Sequence, residues 1–301
     1  TTGVPPPGAS EPAREPGVGV RVKTPTTGPK SGPQILSPTL YNRPSTSKQR
    51  QAMTVENQTD IDGILAAGRV VAGVRDTMLA AVEPGMTTLE LDDLGSRLLA
   101  DAGAESAPRL SYKFPGATCI SVNEEAAHGI PGARIILAGD VVNIDVSARL
   151  DGYFADTGGT MVVPPISPQK ARLCHATQTA LRNAVAAARA GAPINRIGKA
   201  IQSVAKSHRF KVIRNLAGHG IGRSLHEEPE DIVGYYDRSD NRVLRAGQVI
   251  AIEPFLSTRS TYVDEGEDGW TLVGHPANLS AQYEHTLIVT NGAPIVATLS
   301  G

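Results

Sequence analysis

The chain has 301 residues, 29 Lys plus Arg against 30 Asp plus Glu, and a net charge of −1. That balance gives the chain as a whole no electrostatic basis for binding nucleic acid or an anionic membrane. No apolar run approaches the length of a bilayer span, so a soluble, non-membrane protein is expected, and two cysteines, Cys119 and Cys174, are too few for a disulfide framework or a four-cysteine zinc site. The cysteine count points to a reducing compartment. With 40% hydrophobic but only 4% aromatic residues, the core must be built mainly from Ala, Val, Leu and Ile.

Residues 1–50 hold ten of the 22 prolines and carry seven Lys/Arg against two Glu, a net +5 that leaves −6 for the rest. Such a stretch cannot bury enough apolar area to order itself, so residues 1–52 are expected to form a flexible Pro/Gly-rich basic extension. Its prolines are never three apart, which excludes a PxxP ligand. The extension reads either as a solvated tail or as a basic arm for an acidic surface or ribosomal RNA. Its prolines argue against a transit peptide. The first residue is Thr1 rather than Met, so a start upstream is expected.

From about residue 56 the pattern becomes regular. Ile61, Ile64, Val71, Val74, Met78 and Val82 recur at helical spacing, with Thr59 as the expected cap and Pro84-Gly85 as the stop. Thr87 and Glu90 have the form of a capping box for a second helix carrying Leu91, Leu94 and Leu98. Val141–Leu150 and Tyr153–Val163 read as strands joined by an Asp151-Gly152 hairpin turn. The order then repeats. Ser167-Pro168 opens a long Ala/Leu helix, Gly191-Ala192-Pro193 ends it, and Asn195 is the expected cap of another helix. Ala138-Gly139-Asp140-Val141-Val142-Asn143-Ile144-Asp145 is echoed 108 residues later by Ala246-Gly247-Gln248-Val249-Ile250-Ala251-Ile252-Glu253. A repeat of that length predicts two similar halves about a pseudo-twofold.

Both copies end on a carboxylate inside an apolar strand, where an acid is costly unless it is paired or bound to a cation. A two-residue turn sets residue 145 opposite 158, so Asp145 and Asp156 reach one point. Glu253 ends the second copy, and Glu284 precedes the apolar run Leu287-Ile288-Val289. No matching excess of bases accompanies them; Arg149 is the one nearby candidate for an ordinary salt bridge. Three histidines could complete the set: His219 among the glycines of 218–222, His226 seven residues on, and His128 before Gly129. Two Asp, two Glu and one His form an oxygen-rich donor set for two divalent ions. Such a pair supports metal-assisted hydrolysis.

Taken together, Asn143-Ile144-Asp145-Val146, Asp156-Thr157, Gly218-His219-Gly220-Ile221-Gly222, His226-Glu227-Glu228-Pro229, Ile252-Glu253-Pro254 and Gln282-Tyr283-Glu284-His285-Thr286 resemble the type I methionine aminopeptidases. The resemblance covers residues 55–299. It implies an α+β pita-bread fold for residues 53–301 and removal of N-terminal methionine from nascent chains and peptides with a small second residue. It also implies two divalent ions (Co, Mn, Fe or Zn) on Asp145, Asp156, His219, Glu253 and Glu284. By the same resemblance, Glu253 is the general base toward a metal-activated water, His128 contacts the scissile amide, and His226 contacts the carbonyl oxygen. The methionine pocket would be Tyr112, Phe114, Cys119, Leu225 and Trp270. Two departures stand out: Leu110-Ser111-Tyr112-Lys113-Phe114-Pro115 is one residue shorter than the usual run, and Leu225 replaces a common aromatic.

Only 34 residues separate His219 from Glu253, too few for the insertion of type II enzymes, and the cysteines cannot supply eukaryotic zinc fingers. The resemblance is therefore to bacterial or organellar enzymes. A cytoplasmic monomer is expected, with an organelle as the alternative location. Two rival functions follow from the same residues. One is a proline-specific peptidase, whose relatives carry a folded domain ahead of the catalytic one. The other is an inactive relative that binds peptides, proteins or RNA, which would have lost ligands.

Overall fold

The computed structural model describes residues 1–3 and 55–299. The extension expected over residues 1–52 falls almost wholly outside them.

The first half runs α1 (Gln58–Ala81), α2 (Thr88–Asp101), β1 (Glu105–Ser106), α3 (Ala107–Tyr112), β2 (Cys119–Val122), β3 (Glu125–Ala127), β4 (Val141–Leu150) and β5 (Tyr153–Val162). The second half runs α4 (Pro168–Ala187), α5 (Asn195–His208), β6 (Lys211–Val212), β7 (Ala217–Gly220), β8 (Glu227–Val233), β9 (Val249–Ile252) and β10 (Phe255–Ser257). It continues through β11 (Asp264–Glu265), β12 (Leu272–Val273), β13 (Ser280–Gln282), β14 (His285–Ile288) and β15 (Ile295–Val296). Each half thus opens with a helix pair and continues into antiparallel strands, as the internal repeat predicts. In the first, β4 pairs with β1, β2 and β5; in the second, the order is β15-β14-β9-β7-β8.

One apolar core is centred on each half, the first also taking in Ile221, Val249, Ala251 and Ile288 of the second. Ile64, Val71 and Met78 of α1 meet Leu91 of α2 and Ile144 of β4 in the first; Leu173 of α4 and Ile197 and Ile201 of α5 meet Ile250 of β9 and Leu287 of β14 in the second. Each fully buried Ile or Leu contributes about 1.5–3 kcal/mol, and these anchors fix the strand register on which the acids ride.

The local signals are largely realised. Thr87 and Glu90 form the capping box reciprocally, and Ser167 caps α4. Asp151 (φ 49°) and Gly152 (φ 81°) both turn left-handed, the conformation of a type I′ hairpin, and Asp145 lies opposite Gly158. Two caps differ from expectation. Asn57, not Thr59, caps α1: it is extended, and its side chain accepts from the Asp60 amide at 3.1 Å. Asn195 is the first residue of α5 rather than its cap, because its amide is turned away to the Asp237 carbonyl at 3.1 Å.

The halves meet along β5. The Asp156 amide donates to Thr286 Oγ1 at 2.9 Å, and that hydroxyl donates back to the Asp156 carbonyl at 2.8 Å. Thr157 Oγ1 donates to the Glu284 carbonyl, and the Glu284 amide to the Gly158 carbonyl. This ladder sets a carboxylate of each half on the same seam.

Candidate active site

Strand alternation and the hairpin register bring Asp145 and Asp156 to one side of β4 and β5. Cys119 of β2 is registered opposite Asp145 from the other edge of β4. From the second half, β7 presents His219, Glu253 follows directly after β9, and Glu284 sits between β13 and β14. His219 Nε2 lies 3.9 Å from Asp156 Oδ2 and 3.8 Å from Glu253 Oε1. One donor atom each from Asp156, His219 and Glu284 falls within a 4.8 Å cluster. A single cavity is lined by Tyr112, Cys119, His128, Asp145, Asp156, His219, Leu225, His226 and Glu253, together with Pro108 and Ser147. Glu284 is buried behind it. Phe114 and Trp270 are not among the cavity's lining; their rings pack edge to face at 5.2 Å.

The electrostatics are those of crowded, buried acids. Burial first, and then the neighbouring carboxylates, hold the carboxyls of Asp145 and Glu284 well above their usual range. Glu253 is held well above it too, by burial and then by Asp156. Burial lifts Asp156 to about 6, against the lowering effect of its hydrogen bonds. Burial also drives His219 and His128 down to about 4, so both imidazoles are neutral near pH 7. Arg149 does not relieve the cluster, since it pairs with Glu105.

The donor set fits divalent cations. Among the described residues, Asp156 Oδ1 and Glu284 Oε1 are buried side-chain oxygens with no hydrogen-bond partner. An unpartnered buried carboxylate oxygen is costly, and a cation is the partner that several such oxygens around a neutral imidazole can share. His219 Nδ1 lies 2.9 Å from the Gly220 carbonyl; donation there places the proton on Nδ1 and leaves the Nε2 lone pair facing the acids.

Around the donors lies a set of positioning contacts made by residues that the motifs alone do not single out. Gln282 Nε2 donates to Glu284 Oε2 at 2.9 Å, and Asn143 Nδ2 donates to Gln282 Oε1 at 2.8 Å. Thr160 Oγ1 donates to the Gln282 carbonyl, and Arg75 of α1 donates to Thr157 Oγ1. A signal was available for two of them: Asn143 stands two residues before Asp145, on the same face of β4, and Gln282 two residues before Glu284. Buried Asp92 accepts from the Ala117 and Thr118 amides just ahead of β2, which nothing in the local sequence announces. Tyr112 OH hydrogen-bonds to His226 Nδ1, and the His226 ring lies 4.1 Å from that of His219.

Residues 62–291 match the model of metallopeptidase family M24. A methionine aminopeptidase of Staphylococcus epidermidis (strain ATCC 12228 / FDA PCI 1200) is 46% identical over 247 residues, spanning 82% of this chain and 98% of the relative. The crystal structure of methionine aminopeptidase from Rickettsia prowazekii superposes with a TM-score of 0.78 at 35% identity, covering 82% of this chain and all of that one. A prolidase from Pyrococcus furiosus shares the fold at 21% identity and a TM-score of 0.66, and is matched over only 66% of its length.

Proposed function

The chain belongs to metallopeptidase family M24, and from that premise we infer that it is an aminopeptidase that removes N-terminal methionine from peptides and nascent proteins. Its two-halved α+β architecture is the pita-bread fold of that family. The observation that carries the reading is the buried donor set of Asp145, Asp156, His219, Glu253 and Glu284, with two carboxylate oxygens lacking any other partner. The alternative of a binding-only relative accounts for none of that cost. The prolidase alternative is not favoured, since the prolidase-like chain is matched over only part of its length while the aminopeptidases are matched over nearly all of theirs.

Divalent metal is required, and two ions on those five side chains would polarise the scissile carbonyl and acidify the attacking water. Glu253 takes the proton of that water and delivers it to the leaving amine. With the Tyr112 hydroxyl donating to Nδ1, His226 carries its proton on Nε2 and donates it toward the carbonyl oxygen as charge develops. His128, neutral at pH 7, hydrogen-bonds the scissile amide without adding charge. Tyr112, Cys119 and Leu225 supply the mixed aromatic, sulfur and aliphatic wall that suits a thioether. A small second residue is expected because the acids crowd the scissile bond.

Among the described residues no helix is long and apolar enough to cross a membrane. A cytoplasmic monomer is proposed, with residues 1–52 as a basic arm toward the ribosome.

The test is a metal analysis coupled to a substrate panel. Met-Ala-Ser, Met-Gly and Met-Ser peptides should be cut, and Met-Lys and Met-Phe peptides poorly. Turnover of Xaa-Pro peptides with no requirement for methionine would replace this reading with the prolidase one.

A further inference from the structure

Charge is distributed very unevenly in this nearly neutral chain. The 70 residues from Thr157 to His226 contain 11 Lys/Arg and not one Asp or Glu, whereas residues 51–156 carry a net −9 and residues 227–301 a net −8. The basic stretch contains the α4–α5 hairpin. The inner faces of these helices are apolar, with Leu173, Ala180 and Leu181 of α4 and Ile197, Ile201 and Val204 of α5 buried in the second core. Their outer faces carry Arg172, Arg182 and Arg189 on α4 and its end, and Arg196, Lys199 and Lys206 on α5, all exposed. At 100° per residue Arg172 and Arg182 of α4, and Arg196, Lys199 and Lys206 of α5, each fall within about 80° of arc, so each helix shows one cationic row, with Arg189 just beyond the end of α4. The rows meet at both ends. Arg189 and Arg196 line one shallow pocket, and Arg172 donates to the His208 carbonyl at 3.1 Å.

Among the described residues none of these six cations is in a salt bridge, as is also true of Arg69, Arg97, Arg238, Arg245 and Arg259, while Arg75, Arg109, Arg134, Arg149, Arg223 and Arg242 are each paired with an acid. Three acids of the segment beyond α5 are already engaged: Asp231 and Asp240 with Arg242, and Asp237 with Ser239. Within the helices each row extends about 15 Å, from the helical rise of 1.5 Å per residue. Like charges brought together without counter-charges repel one another, so the face is stabilised by an anionic partner.

We propose that the α4–α5 face is a docking surface for the phosphodiester backbone of duplex RNA. Arginine predominates, and its planar fork grips phosphate oxygens in pairs. No large apolar side chain is exposed between Pro168 and Arg214, so the face has no wedge for a bilayer; Tyr236, an exposed ring beside Lys199 Nζ at 5.7 Å, is a single ring and not the row of rings on which successive unpaired bases stack. Recognition is therefore of backbone shape and charge, not of base sequence. The cavity bearing Asp145, His219 and Glu253 is lined by no residue of this hairpin, so docking and hydrolysis are separable.

The test is fluorescence anisotropy of the full chain with an RNA duplex of about 20 base pairs at roughly 50 and 200 mM salt. Three proteins are compared: wild type, the quadruple variant R182E/R189E/R196E/K199E, and a variant with the seven Lys/Arg of residues 1–50 changed to Gln. The expected result is salt-sensitive binding that the helix variant weakens by about tenfold or more, with a shallower salt dependence. The tail variant should keep most of the binding, and kcat/KM on Met-Ala-Ser should be unchanged in all three, which also shows that each folds. Undiminished binding by the helix variant would overturn the proposal. So would binding lost only in the tail variant, equal binding to poly-glutamate, or a preference for phosphatidylglycerol vesicles over RNA.

Discussion

At the scale of single residues, the site is a set of side chains each held for one task. Glu253→Gln keeps shape and volume but cannot accept a proton. It should fold normally and lose about 10²–10⁴-fold in kcat, with some loss of metal because the same side chain is a donor. A kcat near wild type, at full metal loading, would remove Glu253 from the proton transfer. Gln282 is a different kind of residue: it touches no substrate but donates to Glu284 Oε2 and is itself held by Asn143. Gln282→Leu should weaken metal affinity by about 10–100-fold, the usual effect of removing an outer hydrogen bond from a ligand. With metal at saturation its kcat should recover. An unchanged affinity in a direct titration would mean that Glu284 is oriented without it.

At the scale of elements, the seam between β5 and the Gln282–Thr286 segment decides how well the donors converge. Gly158 is registered opposite Asp145, and a Cβ there would fall 2.0 Å from Gln282 Oε1 and 2.5 Å from Nε2. The space a side chain would take is filled by the carboxamide that orients Glu284. Gly158→Ala should therefore push that carboxamide aside while β4 and β5 stay paired. The expected outcome is near-native far-UV circular dichroism with a metal affinity as weak as that of Gln282→Leu. If Gly158→Ala bound metal like wild type, the tight contact would have no bearing on the site. Combining it with Gln282→Leu should add little, because both act through one hydrogen bond.

For the whole molecule, the clustered carboxyls couple stability to pH. A carboxyl whose folded pKa is raised binds more protons folded than unfolded. The metal-free protein therefore loses stability as pH rises from about 4 through the raised values. Asp156, lifted to about 6, completes its part by then; Asp145, Glu253 and Glu284 are held well above their usual range by burial. His128, His219 and His285, lowered to about 4 by burial, act with the opposite sign between about 4 and 6.5. Above that window the imidazoles are neutral in both states and only the carboxyls still act. The metal-free Tm should therefore fall as pH rises above about 6.5, and saturating Mn should raise Tm more after that fall than before it. A metal-free Tm that climbed through this range would contradict the burial of the acids. The same whole-molecule view separates the acidic regions carrying most of the donors from the bare cationic face of α4 and α5.

Local and repeating features were legible in the chain itself. The capping box at Thr87, the Asp151-Gly152 turn, the helical periodicity of α1 and the 108-residue echo of Asp145 in Glu253 are encoded within a few residues or by self-similarity. Because strand alternation is strict, that turn alone put Asp145 and Asp156 on one side of the sheet. Tertiary structure decided what short-range chemistry leaves open. Asn57 rather than Thr59 caps α1, although both residue types suit the task, and Asn195 abandons its cap for a carbonyl 42 positions away. Gln282, Arg75 and Asp92 acquire their roles only when segments 26 to 139 residues apart are brought into contact. Phe114 and Trp270, grouped with the pocket by resemblance, pack on each other outside the cavity's lining. A carboxylate in an apolar strand announces itself in sequence because its burial is costly. The partner that offsets that cost is set by distance in space, which only the folded chain fixes.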